Sequence, residues 1–367
     1  MKSIDQAPAT DDSRQPAVTS EGEAFPSDPS RVRYVPIAAP EFGATTSIAP
    51  GVLWARIPMP MELNHINVWL LDSAEGFAAV DTGLAVSMAT DAWDKIAEEA
   101  FVARPLTGVL ITHIHPDHIG LARWLQQRHR VPVWMSQRTH AQAQAALSAD
   151  AAVFSGADRY FRANGVIDLE QMAPIVKADG FIRMTSGLPE VAQFVNDGQA
   201  VPQCAGWTAL ETNGHAEGHL CLWNAQARAL ISGDQVLPTI SSNISLSFRS
   251  SDPNPLGSFL SSLERLRALP SDTLVLPSHG APFYGLHQRI DDLVRHHREQ
   301  FDLIMRICEQ PRTAVELLPH MFRRELKGLH FFLALGEALA HLEYLAHAGR
   351  LERRSTDAVV RYIAASN

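Results

Sequence analysis

Residues 108–120 read Gly108-Val109-Leu110-Ile111-Thr112-His113-Ile114-His115-Pro116-Asp117-His118-Ile119-Gly120, and the rest of the chain is read outward from them. Val109-Leu110-Ile111 is a short apolar run of the kind that forms a buried strand. It gives way at once to His113, His115, Asp117 and His118, and Pro116 rules out a continued strand or a helix interior. Four potential metal ligands so close together cannot all face one pocket from a regular strand, whose neighbours alternate faces. They can converge from a loop at a strand's end. Imidazole and carboxylate are the groups a zinc-like divalent ion takes, so the stretch reads as a metal loop rather than a His-rich surface turn.

Three more candidate ligands follow, each beside a glycine and each after a short apolar run. They are His215 in Asn213-Gly214-His215, Asp234 in Ile231-Ser232-Gly233-Asp234, and His279 in Leu276-Pro277-Ser278-His279-Gly280. The His-x-His-x-Asp-His loop followed by Gly-His, Gly-Asp and a late His resembles the metallo-β-lactamase superfamily over most of the chain. That resemblance implies a four-layer αβ/βα sandwich with a dinuclear site along one edge of its sheets. It implies that one ion takes His113, His115 and His215, that a second takes Asp117, His118 and His279, and that Asp234 bridges them. Zinc is the expected metal, with iron or manganese as alternatives. Asp81, in Asp81-Thr82-Gly83, is expected to anchor the metal loop by hydrogen bonds rather than to ligate. His219 is expected to be structural, because the ligand tally closes without it.

Bulk composition narrows the function classes. The chain has 367 residues, more than one average domain, and an ordinary apolar fraction of 46%. A formal charge of −9 gives no reason to expect a nucleic-acid partner. Cys204, Cys221 and Cys308 lack the paired spacing of a disulfide framework, which fits a reducing, cytoplasmic location. No run approaches the roughly 18 apolar residues of a membrane span, and the N-terminus lacks the apolar core of a secretory signal.

Residues 1–30 are rich in Ser, Asp, Glu, Pro and Ala and read as a disordered leader. Residues 31–285 are expected to form the sandwich domain. Its early strands are Val52–Ile57, Asn67–Leu71 and Phe77–Val80, followed by a helix over 87–99, and a second helix is expected from Ile119 to Arg128. Residues 137–200 have helical composition and read as a helical insertion over the active-site edge. Strands Trp207–Gly214, His219–Asn224, Leu230–Ser232 and Thr273–Leu276 follow, with an amphipathic helix over 256–269. Residues 286–367 resemble a winged-helix-type module, with a capping-box signal at Thr313 and Glu316 and a hairpin around Ser355-Thr356-Asp357. Twelve Lys/Arg against eleven Asp/Glu between 286 and 363 leave its field near neutral, so a structural or dimerising role is expected over DNA binding.

Two ions a few ångströms apart acidify a shared water, so the expected chemistry is hydrolysis by metal-bound hydroxide, with no Ser or Cys nucleophile. Asp117 would orient that hydroxide and Asp234 would set the ion pair. Departures from the family's branches narrow the substrate. His115 stands where the redox di-iron branch carries Glu. Asp234 is the bridging carboxylate that true β-lactamases generally lack. Leu237 stands where acyl-homoserine lactonases carry Tyr. The thioester-hydrolase branch typified by hydroxyacylglutathione hydrolase remains, although its glutathione-binding basic segment is not recognisable here. A small thioester or ester is therefore the expected substrate. A nuclease or phosphodiesterase, a lactonase, and a metal-bound sensor are the rivals.

Overall fold

Strand β4 (His65–Asp72) shows how side-chain alternation builds the layers. Ile66, Val68 and Leu70 point one way, into a core shared with Trp93 and Ile96 of helix α1 (Ser87–Glu99) and Leu125 of helix α3 (Ala122–His129). Trp69 and Leu71 point the other way, into a core shared with Leu222 and Ile231. A strand buried on both faces reads as a continuous apolar run, and each large apolar side chain so buried stabilises the fold by about 1.5–3 kcal/mol. The third core joins Leu230 and Val275, on the far face of the second sheet, to Phe259 and Leu263 of helix α6 (Pro255–Arg267). Three cores separate four layers, and the fold is a mixed α/β sandwich, as the resemblance implies.

This computed structural model describes residues 32–147, 151–169 and 183–366. The disordered leader expected over 1–30 lies outside the described residues. One sheet has seven strands in the order β2 (Thr45–Ala49), β3 (Val52–Pro58), β4, β5 (Phe77–Val80), β6 (Leu106–Leu110), β7 (Val133–Met135), β8 (Val191–Phe194). It is antiparallel from β2 to β5 and parallel from β5 to β8. The other has six, in the order β1 (Arg33–Tyr34), β13 (Phe283–Tyr284), β12 (Leu274–Pro277), β11 (Ala229–Gly233), β10 (His219–Asn224), β9 (Trp207–Thr212).

Two sequence expectations need correction. Helices α4 (Gln137–Leu147) and α5 (Ala151–Ala163) occupy the first part of the expected helical insertion, but Val191–Phe194 is strand β8. It adds to β7 at the sheet edge, where its exposed side chains give no alternating apolar signal. The single helix expected over 119–128 is two, α2 (Pro116–Ile119) and α3, broken at Gly120-Leu121. Pro116 opens α2 at its first position, where a missing N–H costs nothing.

The C-terminal segment consists of α7 (Leu286–Ile307), α8 (Ala314–Met321), α9 (Gly328–His347) and the hairpin β14 (Leu351–Thr356)–β15 (Val359–Ala364). Helix α8 starts on the Thr313–Glu316 capping box that the sequence signals. Leu293, Leu335, Leu339 and Leu342 belong to the same core as Leu230, Val275 and Phe259. The segment is therefore packed onto the six-stranded sheet.

Candidate metal centre

All seven candidate ligands leave the ends of strands at one edge of the two sheets. β6 feeds the loop with His113 and His115, which runs on into α2, where Asp117 and His118 sit. His215 follows β9, Asp234 follows β11, and His279 follows β12. The sheets are stitched together at this edge by two backbone hydrogen bonds, Leu220 N–H to Thr112 O at 2.9 Å and Asn67 N–H to Ser278 O at 2.7 Å.

The side chains form two groups, His113, His115, His215 and Asp234 in one and Asp117, His118 and His279 in the other, with donor atoms within 4.8 Å of one another in each. His113 Nε2 lies 2.9 Å from His115 Nδ1 and 3.2 Å from His215 Nε2. His279 Nε2 lies 3.3 Å from Asp117 Oδ2. Asp234 faces both groups: Oδ2 is 3.4 Å from His215 Nε2 and 3.5 Å from His118 Nε2, and Oδ1 is 3.6 Å from His279 Nε2.

Hydrogen bonds behind the site fix which ring nitrogen looks inward. His118 Nδ1 donates to Asp81 Oδ2 (2.8 Å), His215 Nδ1 to Asn243 O (2.9 Å), and His279 Nδ1 to His65 O (3.0 Å). Each therefore turns Nε2, the nitrogen a metal ion would take, toward the cluster. Asp81 also accepts from the backbone N–H of Thr112 at 2.8 Å and from its hydroxyl, so it anchors the loop as expected. His219 Nε2 accepts from the backbone N–H of Asp234 (3.2 Å), while Nδ1 donates to Thr212 Oγ1 (2.9 Å). Its role is thus to seat Asp234. Gly233 permits this contact, because a Cβ there would come within 2.3 Å of His219 Nε2.

The electrostatics are those of a site built for cations. Burial opposes protonation of His118, but Asp117, Asp234 and Asp81 override it and hold its pKa well above the usual histidine value. Burial likewise opposes protonation of His279, yet Asp234 and Asp117 raise it to about 9. Burial would raise Asp117, but His118 and His279 hold it down to about 2. His113 and His115, buried among other imidazoles, are pushed the other way, His115 to about 3. His118 Nε2 and Asp234 Oδ1 are buried without a hydrogen-bond partner. Orphaned buried groups of this kind cost roughly 1–3 kcal/mol each or more, and a divalent ion among nitrogen and carboxylate donors satisfies them. The donor set fits two such ions.

Sequence reasoning did not reach His65 and Asn243. Both act through backbone carbonyls, which no side-chain pattern announces.

A family model described as Metallo-beta-lactamase superfamily matches residues 61–279, and one described as Metallo-beta-lactamase-like, C-terminal domain matches residues 301–365. The probable metallo-hydrolase YqjP of Bacillus subtilis is 26% identical over 306 residues, covering 80% of this chain and 92% of that protein. The human acyl-coenzyme A thioesterase MBLAC2 is 28% identical over 211 residues, 54% of this chain and 68% of that protein. A solved beta-lactamase domain protein from Burkholderia ambifaria is 35% identical, with a TM-score of 0.82 over 92% of this chain and 99% of its own.

Proposed function

The chain belongs to the metallo-beta-lactamase superfamily, and on that footing we propose a dinuclear metal-dependent hydrolase acting on a small thioester or ester. The observation that carries this reading is the double ligand cluster with the Asp234 carboxylate facing both halves. His113, His115 and His215 would hold one ion, Asp117, His118 and His279 the other, and Asp234 would touch both. Bound there, divalent ions, zinc in our reading, supply Lewis acidity that lowers the pKa of water and stabilises developing oxyanion charge.

The chain's own groups do the rest. Asp117 is the more accessible carboxylate, with 19% side-chain exposure against 7% for Asp234, so it is placed to orient the attacking water and accept its proton. Asp81 and the carbonyls of Asn243 and His65 keep His118, His215 and His279 in the tautomer that leaves Nε2 free. A cysteine nucleophile is not in play. Cys204, Cys221 and Cys308 are all buried, and burial pushes the Cys221 thiol up to about 12.

The thioester assignment rests on the acyl-coenzyme A thioesterase among the relatives and on two residues, Asp234 as the shared carboxylate and Leu237 in place of the lactonase tyrosine. Three unpaired cysteines support a reducing, cytoplasmic setting, and among the described residues no helix is long and apolar enough to cross a membrane. The test is a substrate panel of acyl thioesters, simple esters, lactones, phosphodiesters and RNA on protein of measured metal content. Thioester or ester turnover that disappears on chelation and returns with metal is expected. Preferential RNA or phosphodiester cleavage would replace this reading with the nuclease one, and lactone preference with the lactonase one.

A further inference from the structure

Asn67 stands out in an otherwise apolar strand. It is fully buried, on the face of β4 that looks toward the opposite sheet, between Ile66 and Val68. A buried amide costs about 1–3 kcal/mol unless its hydrogen bonds are made. Here both side-chain polar atoms and the backbone N–H are engaged. The side-chain oxygen accepts from Trp54 Nε1 at 2.8 Å. The side-chain Nδ2 donates to Pro277 O at 2.9 Å and to Gly280 O at 2.7 Å, and the backbone N–H donates to Ser278 O at 2.7 Å.

Three of those four partners are the carbonyls that bracket His279. Pro277 is the last residue of β12, and Ser278 O and Gly280 O lie beyond the end of the strand. Two residues earlier on the same strand, His65 O receives His279 Nδ1. One stretch of β4 thus grips both the backbone around His279 and its ring, from the sheet opposite the one that delivers it.

We propose that Asn67 is a positioning residue for the metal centre: it fixes the 277–280 turn and thereby aims His279 Nε2 at the second ion. The inference rests on the reading of His279 as a ligand. Only asparagine supplies two donors and one acceptor here in this volume. Aspartate would turn both donors into acceptors facing carbonyl oxygens.

The test compares wild type with Asn67→Asp and Asn67→Ala, alongside Val68→Ala as a control. Val68 is the buried neighbour that faces the helical layer instead. Stepwise zinc affinities are measured by competition with a chromophoric chelator, with thermal stability recorded for each metal-free protein. The expected result is a first ion bound as in wild type and a second ion weakened by about 10–100-fold in the Asn67 variants, the range typical of lost outer contacts. Val68→Ala should lose stability with both affinities intact. If aspartate prevents folding, the alanine variant carries the comparison. Two ions bound with wild-type affinity by a folded Asn67 variant would overturn the inference and leave the dinuclear reading standing. Equal weakening of both ions, or the same pattern in Val68→Ala, would reduce Asn67 to a fold residue. A wild-type protein that takes up fewer than two ions would remove the functional reading itself.

Discussion

At the residue scale the site was legible to the extent that its chemistry resides in rare side chains. His113, His115, Asp117, His118, His215, Asp234 and His279 announce themselves by type and order, and the structure gathers all seven. The residues that aim them are legible only where a side chain does the work. Asp81 could be read, whereas the carbonyls of His65 and Asn243 could not. Two substitutions separate these roles. Asp234→Asn keeps volume but removes the charge that faces both ligand groups. Loss of at least one ion and a fall in hydrolysis on the order of a hundredfold or more are expected, with the fold retained. Metal content and kcat/KM check this, and a variant with two ions and near-normal rates would show that Asp234 is not shared. Asp81→Ala strips the acceptor from His118 Nδ1 and from Thr112, so the ring loses its fixed orientation. Metal affinity should drop by about 10–100-fold, mainly for the ion that His118 would hold, as a chelator titration can resolve.

At the element scale, legibility followed burial pattern. Strands buried on both faces, such as β4 and β12, show as apolar runs, and α8 shows by its capping box. The short strands β1, β2 and β13 and the edge strand β8 are two to five residues long with mixed exposure, and no periodicity can develop over that length. One interface carries a pH consequence that composition hid. His297 of α7 and His341 of α9 are buried against each other with Nδ1 and Nε2 3.0 Å apart, beside Phe259 and Phe301. His341 Nδ1 donates to Glu337 O, so its Nε2 accepts from His297. Burial lowers His341 to about 4. Burial together with His341 and His296 lowers His297 well below its usual value, and burial, helped by His341 and Arg289, lowers His296 to about 3. These depressed values mean that the unfolded chain binds protons first. Their stabilising contribution is complete above about pH 6.5 and is lost as pH falls toward 4, by about 3 kcal/mol for His341 alone. Urea unfolding of chelator-treated protein should show that loss. A His297→Leu/His341→Leu double variant, which removes donor and acceptor together, should flatten much of it. An unchanged acid slope in the double variant would place the sensitivity elsewhere.

At the scale of the whole molecule, the sequence suggested a C-terminal unit set apart from the catalytic sandwich, and the contacts show why that separation misses something. A unit boundary is read from composition, but a brace made of backbone carbonyls has none. The loop from Asp234 to Leu246 carries both the carboxylate that faces the two ligand groups and the carbonyl that orients His215, and C-terminal helices hold it at two points. Arg289 of α7, fully buried, donates through Nε to Leu237 O (2.6 Å) and through Nη2 to Ile240 O (2.7 Å). Further along, Leu246 N–H donates to Gly336 O of α9 at 3.0 Å, and the helix approaches so closely that a Cβ on Gly336 would lie 2.7 Å from Ser245 Oγ and 2.9 Å from Ser245 Cβ. Ser245 in turn donates to the side chain of Asn243, whose backbone oxygen holds His215. Displacing α9 should therefore be felt at the first ion, the one His215 would hold. Gly336→Val is the direct probe, since its branched side chain must push Ser245 or the helix aside. It should cost about 1–3 kcal/mol of stability through overpacking and weaken binding of the ion at His113, His115 and His215 more than the other. Arg289→Met, similar in length but without donors, should leave Leu237 O and Ile240 O unsatisfied and disturb the loop nearer Asp234, so both ions should weaken. Thermal unfolding with and without zinc separates the two effects. A C-terminal segment that merely adds core would lower stability equally in both conditions, whereas a brace on the metal loop also shrinks the stabilisation that zinc confers.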